Sequence, residues 1–196
     1  LRRGQKTVHE KWNDNVAILS GDAMMVRAYQ EICKTKSNTL PALLDIFSDT
    51  AVKVCEGQQF DMNYEKLQRV SIPQYIKMIE LKTAVLLGGA LKIGAIIGGA
   101  REEDAQRLYD FGKHIGIAFQ LQDDILDVTS TTEELGKNVG SDVSSGKVTY
   151  PSLLGLEKAK EQLDYHHQLA MNSLSFIDND EALLLQFSDF IVNRKY

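Results

Sequence analysis

Residues 119–128, FQLQDDILDV, place three carboxylates inside an otherwise apolar helical pattern, and this segment decides the fold. In a helix, Asp123 and Asp127 lie on one face, with Asp124 beside them and Gln120 one turn earlier. Like charges at this spacing destabilise an isolated helix unless a cation lies between them. Aspartate oxygens suit Mg²⁺, which is commonly shared with substrate phosphates. The segment therefore predicts a helical metal–phosphate site. The alternative, a solvated acidic helix face, is disfavoured by the apolar neighbours.

The composition argues against several classes of protein. The chain has 196 residues, 43% hydrophobic and 25% charged, which predicts one globular domain over residues 1–196. A net charge of −5 without a basic block argues against a nucleic-acid partner. Cys33 and Cys55 lack metal or redox spacing, so we expect a reducing, cytoplasmic compartment. The longest apolar run, residues 84–100, contains Lys92 and falls short of a membrane span, which predicts a buried core helix and not a membrane protein.

The whole chain shows consecutive helical patterns with short links and no strand pattern, which predicts an all-α, antiparallel helix bundle. One helix is expected to begin at the capping residues 13–15. Inside it, Gly21 costs roughly 1 kcal/mol relative to alanine, which suggests that another helix approaches closely there. Met24 and Met25 are expected to fill core space.

A capping box, Ser71-Ile72-Pro73-Gln74, opens a helix that we expect to run to about residue 99. The pair Lys82-Thr83 interrupts its apolar face, and a lysine there either reaches solvent or meets a negative partner. Several glycines are expected to give this helix a smooth surface that neighbouring helices approach closely. They are Gly88, Gly89, Gly94, Gly98 and Gly99.

A glycine- and serine-rich stretch, residues 135–147, follows the aspartates and contains Lys137 and Lys147. Such a stretch is usually a surface loop, but after a carboxylate cluster it can close over a bound anion. Helical spacing resumes after Pro151, and His166 and His167 lie on that helix, where we expect a surface location.

Several short motifs, weak one by one but specific in their common order, make the chain resemble the trans-isoprenyl diphosphate synthases. This is the polyprenyl synthetase family, which includes farnesyl diphosphate synthase. The resemblance covers essentially the whole chain and is strongest to bacterial farnesyl and geranylgeranyl diphosphate synthases. It implies an all-α bundle around a central cavity, and a homodimer. The matching pieces are Arg2-Arg3-Gly4, Ser20-Gly21-Asp22, Glu56-Gly57-Gln58 with Asp61, Lys82-Thr83, residues 119–127, Gly136-Lys137 and residues 140–151.

The resemblance also implies a reaction, in which isopentenyl diphosphate is joined head-to-tail to an allylic diphosphate with Mg²⁺, or Mn²⁺, as cofactor. It implies farnesyl diphosphate as the product. Asp123, Asp124 and Asp127 match the second aspartate-rich motif, with Asp123 as the direct metal ligand. The other implied site residues are Arg2 for the allylic diphosphate, Arg3 for isopentenyl diphosphate, Lys82, Lys137 and Lys147 around the allylic diphosphate, Gln58 as a further diphosphate-binding group, and Thr83 and Gln120 facing the cationic transition state. Of these, Lys82, Thr83 and Gln120 are the implied catalytic residues.

The sequence departs from the family in one respect. The family has a first aspartate-rich motif just upstream of the paired arginines, and this sequence does not include that region. The sequence begins at Leu1 without an initiator methionine, so we expect the helices that supply this motif to lie upstream. Without them, we expect weak diphosphate binding and little turnover. Two alternatives stay open, a non-catalytic partner subunit that only binds diphosphate and a terpene cyclase on the same fold. The cyclase is disfavoured by Arg2-Arg3 and by Lys82-Thr83.

Overall fold

The computed structural model describes residues 4–35, 38–67, 69–129, 148–175 and 182–194. Within these ranges the chain is helical and has no β-strand, which confirms the predicted all-α fold. The helices are α1 (Val8–Lys11), α2 (Asp14–Ile32), α3 (Leu40–Tyr64), α4 (Ile72–Ile79), a π-helical segment (Glu80–Ala84), α5 (Val85–Ile97), α6 (Glu102–Thr129), α7 (Tyr150–Leu154), α8 (Leu156–Ser173) and α9 (Ala182–Asn193).

The chain divides into two compact units, Leu1–Asp45 and Ile46–Tyr196, with the boundary inside α3. The smaller unit contains α1, α2 and the start of α3, and the larger unit contains the remaining helices. The larger unit also contains every described residue that the sequence assigned to the site. A single domain over residues 1–196 stays a prediction.

Helix α2 begins where the sequence predicts, because the side chain of Asn13 accepts a hydrogen bond of 2.9 Å from the backbone N–H of Val16. Two other expectations for this helix are wrong. Met24 is 68% exposed and Met25 is 41% exposed, so neither fills core space. A Cβ added to Gly21 would have no neighbour within 4 Å, so no helix in the described part of the chain approaches there. Helical spacing identifies an apolar stripe, but it does not supply a partner for that stripe.

Helix α6 is the centre of the larger unit, because it packs against α4, the π-helical segment, α5, α7, α8 and α9. Its first turn contains Glu102, Glu103 and Asp104, whose negative charges suit a helix N-terminus. Two buried apolar clusters lie along its length. One includes Tyr75, Ile79, Ile117, Leu121, Ile125, Tyr150 and Leu163, and the other includes Phe111, Ile115, Ala170, Leu174 and Ile191.

The helix expected over residues 71–99 begins at the predicted capping box, where the backbone N–H of Ser71 donates to Oε1 of Gln74 at 2.9 Å. It does not continue as one α-helix, because Glu80–Ala84 widens into a π-helical turn. Two glycines, one on α3 and one on α6, lie in close contact with the backbone of this turn. A Cβ on Gly57 of α3 would lie 2.2 Å from the backbone N of Lys82, and a Cβ on Gly116 of α6 would lie 2.5 Å from Cα of Ala84.

The smooth glycine surface predicted for α5 is confirmed for part of the helix. A Cβ on Gly88 would lie 2.8 Å from the backbone O of Tyr109, and a Cβ on Gly89 would lie 2.6 Å from the hydroxyl of Thr50. Among the described residues, the expectation is wrong for Gly94 and Gly99, where an added Cβ would have no neighbour within 4 Å, and for Gly98, whose nearest atoms belong to α5 itself. The helix ends at the predicted place, where Gly99 has a φ of 85°. None of the described helices, α5 included, is both long and apolar enough to cross a membrane.

The surface location expected for His166 is wrong, because α8 packs along α6 and leaves this residue 7% exposed. Nδ1 of His166 lies 3.0 Å from Nδ1 of His114 on α6. Burial, with His114 and Lys113 nearby, lowers the pKa of His166 to about 4. Burial also lowers the pKa of His114. His167 is mostly covered as well, with its side chain 18% exposed.

Candidate active site

A small cleft lies where α3, α4, the π-helical segment and α6 meet the two residues before α7. We call it the aspartate cleft. Two of its lining residues are carboxylates on different helices, and one is a lysine, so the cleft combines acidic and basic groups in a partly enclosed space. Its lining residues are Asp61, Tyr75, Met78, Ile79, Lys82, Gln120, Asp124, Val148 and Thr149.

Asp124 is a buried carboxylate with fixed hydrogen-bond donors. It is 4% exposed. Its Oδ2 accepts hydrogen bonds from the hydroxyl of Tyr75 and, at 2.8 Å, from the backbone N–H of Tyr150. Burial raises the pKa of Asp124 to about 6, and the donors Tyr75, Tyr150 and Gln120 oppose this rise. Burial also raises the pKa of Tyr75 well above its usual value, so its hydroxyl stays protonated and donates.

A hydrogen-bond chain leads from Asp124 to the π-helical segment. The amide nitrogen of Gln120 is 3.4 Å from Oδ1 of Asp124, one helical turn further along α6. The hydroxyl of Thr83 donates to Oε1 of Gln120 at 3.3 Å. The structure therefore brings together three residues that the sequence assigned to the site, in one hydrogen-bonded chain.

Lys82 lies beside this chain and is paired with Asp61 of α3, with Nζ 2.6 Å from Oδ2. Gln58, one turn earlier on α3, has its amide nitrogen 3.4 Å from the same oxygen. The Lys82 side chain is 32% exposed. It therefore meets the negative partner that the sequence allowed for, and it remains accessible from solvent.

The three aspartates near the end of α6, within residues 119–128, lie in different surroundings. Asp123 has a 44% exposed side chain and forms an ion pair with Arg194, whereas Asp124 and Asp127 are buried. The alternative interpretation, a solvated acidic helix face, is therefore wrong for Asp124 and Asp127. Among the described residues, no three His, Cys, Asp or Glu side chains are arranged to hold a metal ion. The donor set still fits Mg²⁺, because this ion often takes one or two carboxylates and completes its shell with phosphates and water.

Four residues assigned to diphosphate binding, Arg2, Arg3, Lys137 and Lys147, lie outside the described residues. Two contacts of the site are not in the sequence prediction. Tyr75 precedes Lys82 by seven residues on the same helical face, so that spacing is a usable signal. Arg194 has no comparable signal, because it approaches α6 only through the packing of α9.

The comparison with known protein families decides the assignment of this fold. The profile of the polyprenyl synthetase family matches residues 1–179. The chain belongs to this family. Geranylgeranyl diphosphate synthase of Methanosarcina mazei is 34% identical over all of this chain and 72% of its own length. Farnesyl diphosphate synthase of Bacillus subtilis is 37% identical over all of this chain and 68% of its own length.

Solved structures agree with this assignment. A geranylgeranyl pyrophosphate synthase superimposes with a TM-score of 0.92 at 34% identity, over all of this chain and 74% of the other. A geranyltransferase from Helicobacter pylori, in complex with magnesium and isoprenyl diphosphate, has a TM-score of 0.80 at 30% identity, over 98% of this chain and 64% of the other. The polyprenyl synthetase chain described here spans between 50% and 72% of the length of the first curated relatives.

Proposed function

We propose that this polyprenyl synthetase chain acts as a Mg²⁺-dependent trans-prenyltransferase that joins isopentenyl diphosphate head-to-tail to an allylic diphosphate. The observation that supports this most is the hydrogen-bond chain Thr83–Gln120–Asp124, of which Gln120 and Asp124 line the same cleft as Lys82. Relatives make geranylgeranyl or farnesyl diphosphate according to their names, so the proposed product is a short-chain prenyl diphosphate of either length. A cytoplasmic homodimer is proposed from the family resemblance alone.

The reaction requires a diphosphate to leave from an allylic carbon. Magnesium, when bound, stabilises the negative charge that develops on this leaving group. Asp123 is the proposed direct ligand, because its carboxylate is the most exposed of the three. Asp124 and Asp127 are proposed to support the motif from the buried side of α6.

Loss of the diphosphate leaves an allylic cation, which oxygen atoms can stabilise without trapping it covalently. Thr83 suits this role, since its hydroxyl donates a hydrogen bond to Gln120 and keeps its lone pairs for the cation. Asp124 holds the Gln120 amide in the required orientation by accepting from its nitrogen. The double bond of isopentenyl diphosphate then attacks the cation, and we propose that the released diphosphate takes the proton that is lost.

Lys82 is proposed to contact the allylic diphosphate from the edge of the cleft, exchanging Asp61 for a phosphate oxygen. Gln58 contacts Asp61 and is proposed to bind the same diphosphate. Arg2, Arg3, Lys137 and Lys147 are proposed as further diphosphate contacts on the resemblance alone. Closing of the cleft would exclude water, which converts the cation into an alcohol.

The test is to incubate the purified protein, with any residues encoded upstream of Leu1 included, with isopentenyl diphosphate, geranyl diphosphate and Mg²⁺ and to measure the length of any product. We expect Asp123→Ala to lower product formation by about 100-fold or more. Asp110→Ala is the control, since Asp110 is a partly exposed aspartate on the same helix α6. Full activity in Asp123→Ala contradicts the assignment. Diphosphate binding without any product supports the alternative of a non-catalytic subunit.

A further inference from the structure

The last described residue, Arg194, follows α9 and is held against the aspartate segment of α6. Its Nη2 donates a hydrogen bond to Oδ1 of Asp123 and another, at 3.0 Å, to the backbone O of Phe119. Its guanidinium carbon lies 3.8 Å from the centre of the Phe119 ring. The amide nitrogen of Gln122 donates to the backbone O of Arg194 at 3.1 Å. Four contacts therefore fix one arginine on one turn of α6.

This arginine is mostly buried but incompletely satisfied. Its side chain is 11% exposed, and its Nε has no hydrogen-bond partner among the described residues. A buried N–H without an acceptor is unfavourable, so the arginine is not in an optimal structural site. The acceptor that holds it, Asp123, is the most exposed of the three carboxylates within residues 119–128.

We propose that Arg194 is a positioning residue that holds Asp123 and competes with a divalent cation for it, so that Arg194 has to withdraw from the carboxylate before the cation binds there. This inference rests on the proposed function only in taking Asp123 as a metal ligand. Both cations compete for the same carboxylate, since Oδ1 already accepts a charge-assisted hydrogen bond from Arg194. A metal ion that binds Oδ1 of Asp123 therefore requires Arg194 to withdraw from that oxygen.

The test measures the binding of Mn²⁺ alone, in the absence of substrates, by electron paramagnetic resonance of the free ion. We expect Arg194→Gln to tighten Mn²⁺ binding by about tenfold, because it removes a competing charge. Arg107→Gln, which removes an exposed arginine paired with Glu103 on the same helix, should leave the affinity unchanged. In the Asp123→Asn background, Arg194→Gln should no longer have an effect.

Arg194→Lys provides a second variant if Arg194→Gln does not fold. It keeps the charge but loses the planar group that stacks on Phe119, so we expect a smaller gain in affinity. Unchanged or weaker Mn²⁺ binding in Arg194→Gln overturns the proposal. A gain in Mn²⁺ affinity that persists in the Asp123→Asn background also overturns it, and so does the absence of Mn²⁺ binding in both the parent and Arg194→Gln. If prenyl transfer is observed but Arg194→Gln does not change Mn²⁺ binding, the proposed function stands and this inference fails. If Arg194→Gln tightens Mn²⁺ binding but no prenyl transfer is observed, the competition for Asp123 stands and the proposed function fails.

Discussion

Helix α2 and the helices around the π-helical segment both contain glycines within apolar helical patterns, yet their surroundings are opposite. Gly21 of α2 faces open space, and apolar neighbours such as Leu19, at 66%, are exposed. Gly57 of α3 and Gly116 of α6 have no room for a methyl group, because backbone atoms of the π-helical segment lie there. A glycine in a helix therefore indicates close approach only where a partner helix is present.

The largest effect is expected at Gly57, where a Cβ would collide with the backbone of Lys82 and Leu81. No change of rotamer relieves a contact with backbone atoms. We expect Gly57→Ala to lower the free energy of unfolding by about 3 kcal/mol or more and to displace Lys82. Urea unfolding measures the loss. A variant as stable as the parent would show that the π-helical segment has room to move.

An intermediate effect, on the pH dependence of stability, is expected from the pair His114 and His166 between α6 and α8. His9 of the smaller unit, whose side chain is 52% exposed, is the comparison. The pKa of His166 is about 4 in the folded chain, against an ordinary value of 6.5. At this histidine the unfolded chain therefore binds more protons between these values, so the His166 contribution to stability falls as the pH falls from about 6.5 to 4. We expect this contribution to fall by about 2 kcal/mol, whereas Asp124, with its pKa raised to about 6, adds stability as the pH falls below 6.

Thermal or urea unfolding between pH 7 and pH 4.5 measures this dependence. The charged and titratable groups that act on the pair are Lys113, Asp110 and Glu80, besides the two imidazoles themselves. His166→Asn should remove this loss, so that the stability of the variant falls less on acidification than that of the parent, whatever the change does to stability at pH 7. His9→Asn should leave the dependence as it is. Equal slopes in the parent and in His166→Asn would refute the role of the pair.

The smallest effect, and one of opposite sign, is expected at Gly21. Alanine has a higher helix propensity than glycine, and the added methyl group meets no atom within 4 Å. We expect Gly21→Ala to raise the free energy of unfolding by about 0.5–1 kcal/mol. The same unfolding experiment serves as the control for Gly57→Ala. Destabilisation by Gly21→Ala would mean that α2 has a close partner after all.

Spacing within one helix predicted much of the candidate site. The interval from Gln120 to Asp124 places both on one side of α6, and the pair Lys82-Thr83 follows a capping box that the structure confirms. These are local relations, set by the 3.6-residue period, and a sequence displays them directly. The order of the motifs also identified the family, which the comparisons confirm.

Contacts between distant residues were decided by the tertiary structure alone. The burial of Asp124 under Tyr75 and Tyr150, the pairing of His114 with His166 and the approach of Arg194 to Asp123 each join segments separated by 26 residues or more. The π-helical turn belongs with them, because it lies against glycines on α3 and α6. The sequence alone determined which side chains α6 presents, and packing determined which of its aspartates remains open to a ligand.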